Sequence, residues 1–251
     1  MEEDNVLDLN FWPSFADLML SLVFILVLIL FLVAVVITVG NVNLIQVEKK
    51  QMEMVDAIAK KYGVKYQELE RPEAGAKSYG LSISNQQKPD VIFTNEVTLQ
   101  RISFSDNVLF VEEQYTISEK GKQILRIVGK ILNEQLPHVR EIQIQGHADI
   151  RITHKYRSNL ELAAYRAMAV FEFLQKDADI HPEEHLMSAT SFGEYKPVNR
   201  LDNDSTYDPK RLLSDNDTKD KMDQNRRIEL LLIYRREFAV RDLNQDKVET
   251  N

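Results

Sequence analysis

From Leu18 to Val39 the chain is apolar without a single charge, Leu-Met-Leu-Ser-Leu-Val-Phe-Ile-Leu-Val-Leu-Ile-Leu-Phe-Leu-Val-Ala-Val-Val-Ile-Thr-Val. A helix of that length covers about 33 Å, slightly more than a hydrocarbon core of about 30 Å, so the pattern predicts one transmembrane helix over residues 15–40, after a short tail over 1–14. A cleaved signal peptide is the rival, but residues 1–10 contain no Lys or Arg, the apolar stretch is too long, and no small-x-small cleavage site follows it. Residues 41–70 are polar but periodic. Leu44, Ile45, Val47, Met52, Val55, Ile58 and Tyr62 fall mostly on one helical side, which extends the helix into a linker assigned to 41–75. Its bland reading is a solvated connecting helix; Ile45, Met52 and Ala59 also keep a seven-residue spacing that can seat a parallel dimer. Arg71-Pro-Glu-Ala-Gly75 breaks the pattern and sets the expected domain boundary.

Beyond that boundary the period alternates between two and three to four. Tyr79, Leu81 and Ile83 predict a strand, as do Val97, Leu99, Arg101, Ile102 and Phe104. Leu125, Val128, Ile131 and Leu132 form a helical stripe, and Ile142 and Ile144 alternate into Gly146. A long helix over Leu160 to Leu174, a short strand over Ser188 to Phe192 and a last strand over Ile228 to Ile233 complete the series. The fold class expected is α+β: a single N-terminal transmembrane helix, a helical linker, and an α/β sandwich with a mixed sheet over 76–236, followed by a polar tail over 237–251.

Composition narrows this picture. The 251 residues carry a net charge of −8, with 28% charged residues and no Cys. That leaves room for one folded domain of ordinary size after the span. An acidic chain without a basic stripe argues against nucleic acid, and the lack of cysteine removes disulfides and thiolate metal sites. Glu2, Glu3, Asp4 and Asp8 before the span and Lys49, Lys50, Lys60 and Lys61 after it give a weak bias towards an external N-terminus.

One residue in the apolar segment is out of keeping with it. Asp17 opens the run, and an ionisable group at bilayer depth costs roughly 2.5 to 3.5 kcal/mol on insertion scales, which marks an ion path, a proton relay or a partner. Ser21, one turn on, is a second candidate ion ligand. Ser14-x-x-Asp17 also fits a capping box, in which Asp17 is only an anchor at the helix entrance.

Two other motifs carry less. Asp202 through Asp223 is an aspartate-rich insertion that resembles a calcium loop only loosely, with Tyr207 and Leu213 where an EF-hand loop needs Gly and Glu, so a solvated loop is expected. His181-Pro-Glu-Glu-His185 matches a zinc-protease pattern, but Pro182 would sit inside the helix that pattern needs and is read instead as opening a turn. No Ser-His-Asp set, phosphate loop or paired acid motif is evident, and the chain does not read as an enzyme.

Four ordered blocks carry a family resemblance: Ile144-Gln-Gly-His-Ala-Asp149, Asn159-Leu-Glu-Leu-Ala-Ala-Tyr-Arg166-Ala167, Ser191-Phe-Gly-Glu-Tyr-Lys-Pro197 and Asn225-Arg-Arg-Ile-Glu229. Together they resemble the OmpA-like peptidoglycan-binding domain over roughly residues 80–236. The resemblance implies that Asp149 and Arg166 grip the diaminopimelate of a peptidoglycan stem peptide. An Asp suits its ammonium and a guanidinium fork its carboxylate. It also implies that Asn159 orders the loop near the ligand and that Arg226 or Arg227 lines or buttresses the site. Two features depart from the family: Ala148 stands where Thr is usual, and the Asp149 to Asn159 loop is about two residues longer than is usual there.

Joined to the Phe11-Trp-Pro-Ser-Phe-Ala-Asp17 entrance of the span, the whole chain resembles the B subunits of rotary stator units, a family with a flagellar MotB branch and an anti-phage Zorya ZorB branch. The acidic tail and Phe11-Trp12 favour the Zorya branch. The resemblance implies an inner-membrane protein with a cytoplasmic N-terminus and a periplasmic domain, a homodimer inside a five-subunit ring of a multi-span MotA/ZorA-like partner, and Asp17 as carrier of a transported proton or sodium ion, with no cofactor. Residues 41–62 would then be a candidate plug. A flagellar stator subunit and a passive membrane-tethered wall anchor remain the alternatives.

Overall fold

A computed structural model describes residues 12–70, 76–83, 88–200 and 204–235. The expected tail over 237–251, the Arg71–Gly75 break, Phe11 and the acidic N-terminal residues lie outside them, as does nearly all of the 1–14 tail. The chain divides into two units, Met1–Asn43 and Leu44–Asn251.

The first unit is helical where described. Helix α1 runs Trp12–Tyr62, and its stretch Trp12–Thr38 is apolar enough to cross a membrane, with none of it buried within the chain. Because the helix is already formed at Trp12, Ser14 is an interior helical residue and Asp17 lies beyond the first turn, so the capping-box reading of Ser14 and Asp17 does not hold. Ser21 Oγ donates to the Asp17 backbone carbonyl at 2.9 Å, the i to i−4 back-bond of a helical serine.

The second unit starts at Leu44, well before the boundary at 75 that Pro72 and Gly75 had suggested. The reason is the inner face of α1. Val47, Met54, Val55, Ile58 and Ala59 are buried in the domain core, so this part of the helix is neither a solvated connection nor a free dimer seam. Of the three heptad positions, Ala59 is buried and Met52 is partly buried against the same core, while Ile45 alone is 63% exposed.

The elements that follow are β1 (Gln67–Leu69), β2 (Lys77–Leu81), β3 (Val91–Asn95), β4 (Leu99–Ser105), the one-turn helix α2 (Asp106–Leu109), α3 (Glu119–Gln135), β5 (Val139–His147), α4 (Asn159–Asp177), β6 (Leu186–Gly193), the short helices α5 (Pro209–Ser214) and α6 (Lys219–Asn225), and β7 (Arg227–Tyr234). The strands form one mixed sheet in the order β1-β2-β3-β4-β7-β5-β6. Among the described residues only β5 and β6 run parallel, and the long helix α4 makes their crossover. This is the expected α+β architecture, with β1 and β3 as strands the hydrophobic pattern had not shown.

One sheet face carries the core. Phe93, Ile102, Phe104, Ile142, Ile144, Ile228, Leu230 and Leu232 alternate inward and meet α3 through Ile124, Leu125, Val128 and Leu132, and α4 through Ala167, Val170 and Leu174. Gly146 lets β5 pass directly beneath α4: a Cβ there would collide with the Ala163 carbonyl. Both helices are capped by serine, Ser118 accepting from Gly121 N at 2.9 Å and Ser158 from Glu161 N at 3.2 Å.

The aspartate-rich insertion is more ordered than a solvated loop. Asp208 caps α5 by accepting from Arg211 N at 2.8 Å, Thr218 caps α6, and Asp215, Asn216 and Asn225 are buried in a hydrogen-bonded knot beneath them. Residues 201–203, which include Asp202, lie outside the described ones. The His181–His185 segment is a turn, in which Glu184 N and His185 N bond the His181 carbonyl and His181 Nε2 meets Asp179 Oδ1 at 2.8 Å.

Candidate functional site

The C-terminal ends of β4 and β5 and the N-terminal end of β7 meet at one end of the sheet, because β7 is antiparallel to both neighbours. Each delivers a charged residue just past its last pair: Asp106 after β4, Asp149 after β5 and Arg226 before β7. Arg166 descends from α4, and Asp223 comes from α6. Among these, Asp149 and Arg166 are each only 3% exposed.

Arg166 is fixed by three contacts. Its NH1 pairs with Asp106 Oδ1 at 3.0 Å, its Nε donates to the Gln114 carbonyl at 3.0 Å, and its guanidinium lies over the Phe110 ring at 5.3 Å. Asp149 makes none of these. Arg226 reaches it instead, with NH1 to Asp149 Oδ2 at 3.0 Å, NH2 to Asp223 Oδ1 at 2.6 Å and Nε 3.8 Å from Asp106 Oδ2. The four expected residues are thus brought together, but Asp149 and Arg166 are joined through Asp106 and Arg226 rather than directly.

Asn159 opens α4 and donates from Nδ2 to the Asp149 carbonyl at 2.9 Å, so it holds the start of the long loop. The loop also returns on Asp149 through Arg151, whose backbone N donates to Oδ1 at 2.9 Å while Nε and NH2 donate to Oδ2 at 2.8 and 2.5 Å. Asp149 therefore stabilises its own turn as well as facing the site. Arg227 turns the other way. It donates from Nε to Glu229 Oε1 at 2.6 Å on the opposite sheet face, where Arg101 and His147 also gather.

Burial sets the electrostatics. It pushes the Asp106 carboxyl up to about 6, against the pull of the Arg166 guanidinium, and it lowers Arg166. Three acids, Asp106, Asp149 and Asp223, face three arginines, Arg151, Arg166 and Arg226, so the site is balanced for a ligand that carries both signs. Beside it Tyr115, Tyr156 and Tyr165 form an aromatic cluster with ring centroids 5.3 to 6.3 Å apart. Sequence reasoning did not find Asp106, Arg151 or the tyrosines. Asp106 lies within the roughly 80–236 that the resemblance covers but in none of its four blocks, and the partnership of Arg151 with Asp149 has no signal in spacing.

Among the described residues no cluster of three or more His, Asp or Glu is placed to hold a metal ion. Ser21 and Asp17 lie one turn apart on the apolar part of α1, with the serine proton committed to the backbone and the carboxylate exposed.

Comparison with known proteins agrees with this architecture. Residues 109–208 match the OmpA family. That segment includes Asp149, Arg151, Asn159 and Arg166, while Asp106, Asp223 and Arg226 lie outside it. The uncharacterized protein YtxE of Bacillus subtilis is 27% identical over 127 residues, which span 50% of this chain and 44% of that protein, less than half its length. Among solved structures, a MotB-like protein from Desulfovibrio vulgaris is similar at a TM-score of 0.55 with 16% identity, covering 78% of this chain and 99% of that one. The periplasmic domain of Helicobacter pylori MotB is similar at a TM-score of 0.50 with 19% identity, covering 69% and 98%. The chain thus carries an OmpA-family domain with the fold of MotB periplasmic domains, preceded by an apolar helix long enough to cross a membrane.

Proposed function

We propose that this chain is the wall-anchored, ion-coupling B-type subunit of a rotary membrane motor, in the anti-phage Zorya branch of that family. The observation that carries the reading is the convergence of Asp106, Asp149, Arg166 and Arg226 at one end of the sheet, on a chain that also bears Asp17 at the head of an apolar span. The acidic site residues take the ammonium of a stem-peptide diaminopimelate, and Arg166, held against Phe110 and the Gln114 carbonyl, offers its fork to the carboxylate. Binding to the wall fixes the domain in the periplasm, with the N-terminus in the cytoplasm. Two copies pair inside a ring of a multi-span partner, and Asp17 carries the proton or sodium ion that steps the ring. Ser21 keeps its oxygen lone pairs for an ion, since its hydrogen bond to the Asp17 carbonyl uses only the proton.

The test of the anchoring half is retention of the full chain on purified sacculi. Asp149→Ala combined with Arg166→Ala abolishes retention while the unfolding midpoint shows the protein still folded. Undiminished retention of the folded double variant would sink the wall-binding claim.

A further inference from the structure

Asp149 is not idle in this structure. Its Oδ2 accepts from Arg151 Nε and NH2 at 2.8 and 2.5 Å and lies 3.0 Å from Arg226 NH1, which exceeds the lone pairs that one carboxylate oxygen directs at donors. An ammonium that is to pair with this oxygen must displace one of the two arginines. Arg226 is the tighter of them: its side chain is 29% exposed and is also held by Asp223 at 2.6 Å, with Asp106 3.8 Å away. Arg151 has a side chain 48% exposed, belongs to the loop between β5 and α4, and among the described residues forms its ion pair with Asp149.

We infer that Arg151 is a built-in competitor for the Asp149 carboxylate, a guanidinium that stands where the ligand's ammonium goes and leaves when the ligand arrives. The inference rests on the wall-binding reading above and adds a threshold to it. A neutral or acidic peptide gives no compensation for breaking the Arg151 pair and is refused, whereas a peptide with a free amine replaces one charge-assisted hydrogen-bonded pair by another. The backbone bond from Arg151 N to Asp149 Oδ1 is untouched by this exchange, so the turn survives while the side chain swings out.

The experiment is calorimetric titration of the full chain in detergent with a soluble stem peptide ending in meso-diaminopimelate, and with the same peptide acetylated on its side-chain amine. Arg151→Ala binds the free-amine peptide about fivefold more tightly than wild type, the factor that corresponds to about 1 kcal/mol for an exposed competing pair, and this gain disappears on the acetylated peptide. Arg151→Lys, which keeps a displaceable cation, returns towards the wild-type affinity. Unchanged or weaker binding of the free-amine peptide by Arg151→Ala overturns the inference, as does an equal gain on both peptides. If neither wild type nor Arg151→Ala binds the free-amine peptide, the wall-binding reading itself fails and takes the inference with it.

Discussion

His147 ends β5 and Asp106 follows β4, the strands on either side of β7, and the two respond to acid in opposite senses. His147 is buried on the sheet face away from the core, its ring stacked on Phe192 at 5.3 Å and its Nδ1 3.2 Å from the Lys196 carbonyl. Its Nε2 is 3.5 Å from Glu229 Oε2, too long for a firm hydrogen bond, so the imidazole sits beside the Arg227–Glu229 ion pair rather than within it. Burial and the neighbouring Arg227 hold its pKa down at about 4, from an ordinary 6.5. A depressed histidine contributes stability that is present above the unfolded value and is lost as pH falls towards about 4. Asp106, raised by burial from 3.8 to about 6, does the reverse: its contribution is complete below the unfolded value and is lost as pH rises through about 6. Between about pH 4.5 and 6 the two slopes oppose, each at most about 1.4 kcal/mol per pH unit. His147→Gln should therefore make the full chain more stable as pH falls through this window, and Asp106→Asn should make it less stable. Urea unfolding midpoints at several pH values check the signs, and parallel profiles for both variants would refute the assignment.

At the scale of elements, the second half of α1 is part of the domain. Gln51 is only 2% exposed and donates from Nε2 to the Glu96 and Leu99 carbonyls at 2.9 and 3.2 Å, while Gln100 Nε2 returns a bond to the Gln51 carbonyl at 2.8 Å. Tyr234 OH bonds Gln100 Oε1 at 3.0 Å and extends the network to the end of β7. Met54→Ala should cost about 2 to 5 kcal/mol and Gln51→Leu, which strands buried polar partners, about 1 to 3, whereas Ile45→Ala should change the unfolding free energy little. Equal, small effects of Met54→Ala and Ile45→Ala on denaturant unfolding would place the domain start after the helix. This element also shows what the sequence could and could not reveal. The helical period over 44–62 was legible because its apolar positions recur every three to four residues, but a buried glutamine looks like a solvated one until its carbonyl partners, far along the chain, are known. β1, Gln-Glu-Leu, has no alternation of its own and exists through pairing with β2, with Tyr66 packed edge-on against Tyr79 at 5.3 Å. In the site, Asp149, Asn159 and Arg166 stood in recognisable blocks, while Arg151 and Asp106 acquire meaning only through ion pairs that the fold creates. The aspartates of the insertion misled because Asp208 and Asp215 serve a helix cap and a buried knot rather than solvent.

On the scale of the whole molecule, the proposed function assigns a different task to each of the two units. In the first, the uncharged stretch Trp12–Thr38 is interrupted only by Asp17, a cost that a purely tethering helix has no reason to bear. In the second, Asp149, Arg166 and Arg226 are the residues to which the proposed function gives retention on the wall. The proposed function makes these separable. Asp17→Asn, expressed with its multi-span partner at wild-type level, should remove protection against phage while leaving retention on sacculi unchanged, because the substitution keeps the helix and its volume but cannot gain and release a proton. The double variant Asp149→Ala with Arg166→Ala should lose retention first, with membrane insertion intact. Ser21→Ala then distinguishes the ion. A transported proton needs only the carboxylate, so activity should stay near wild type, whereas a sodium ion loses an oxygen ligand one turn from Asp17 and should need a higher sodium concentration for half-maximal activity. If Asp17→Asn retains full protection in cells with normal protein levels, the chain is a passive anchor and the ion-coupling half of the proposal is wrong.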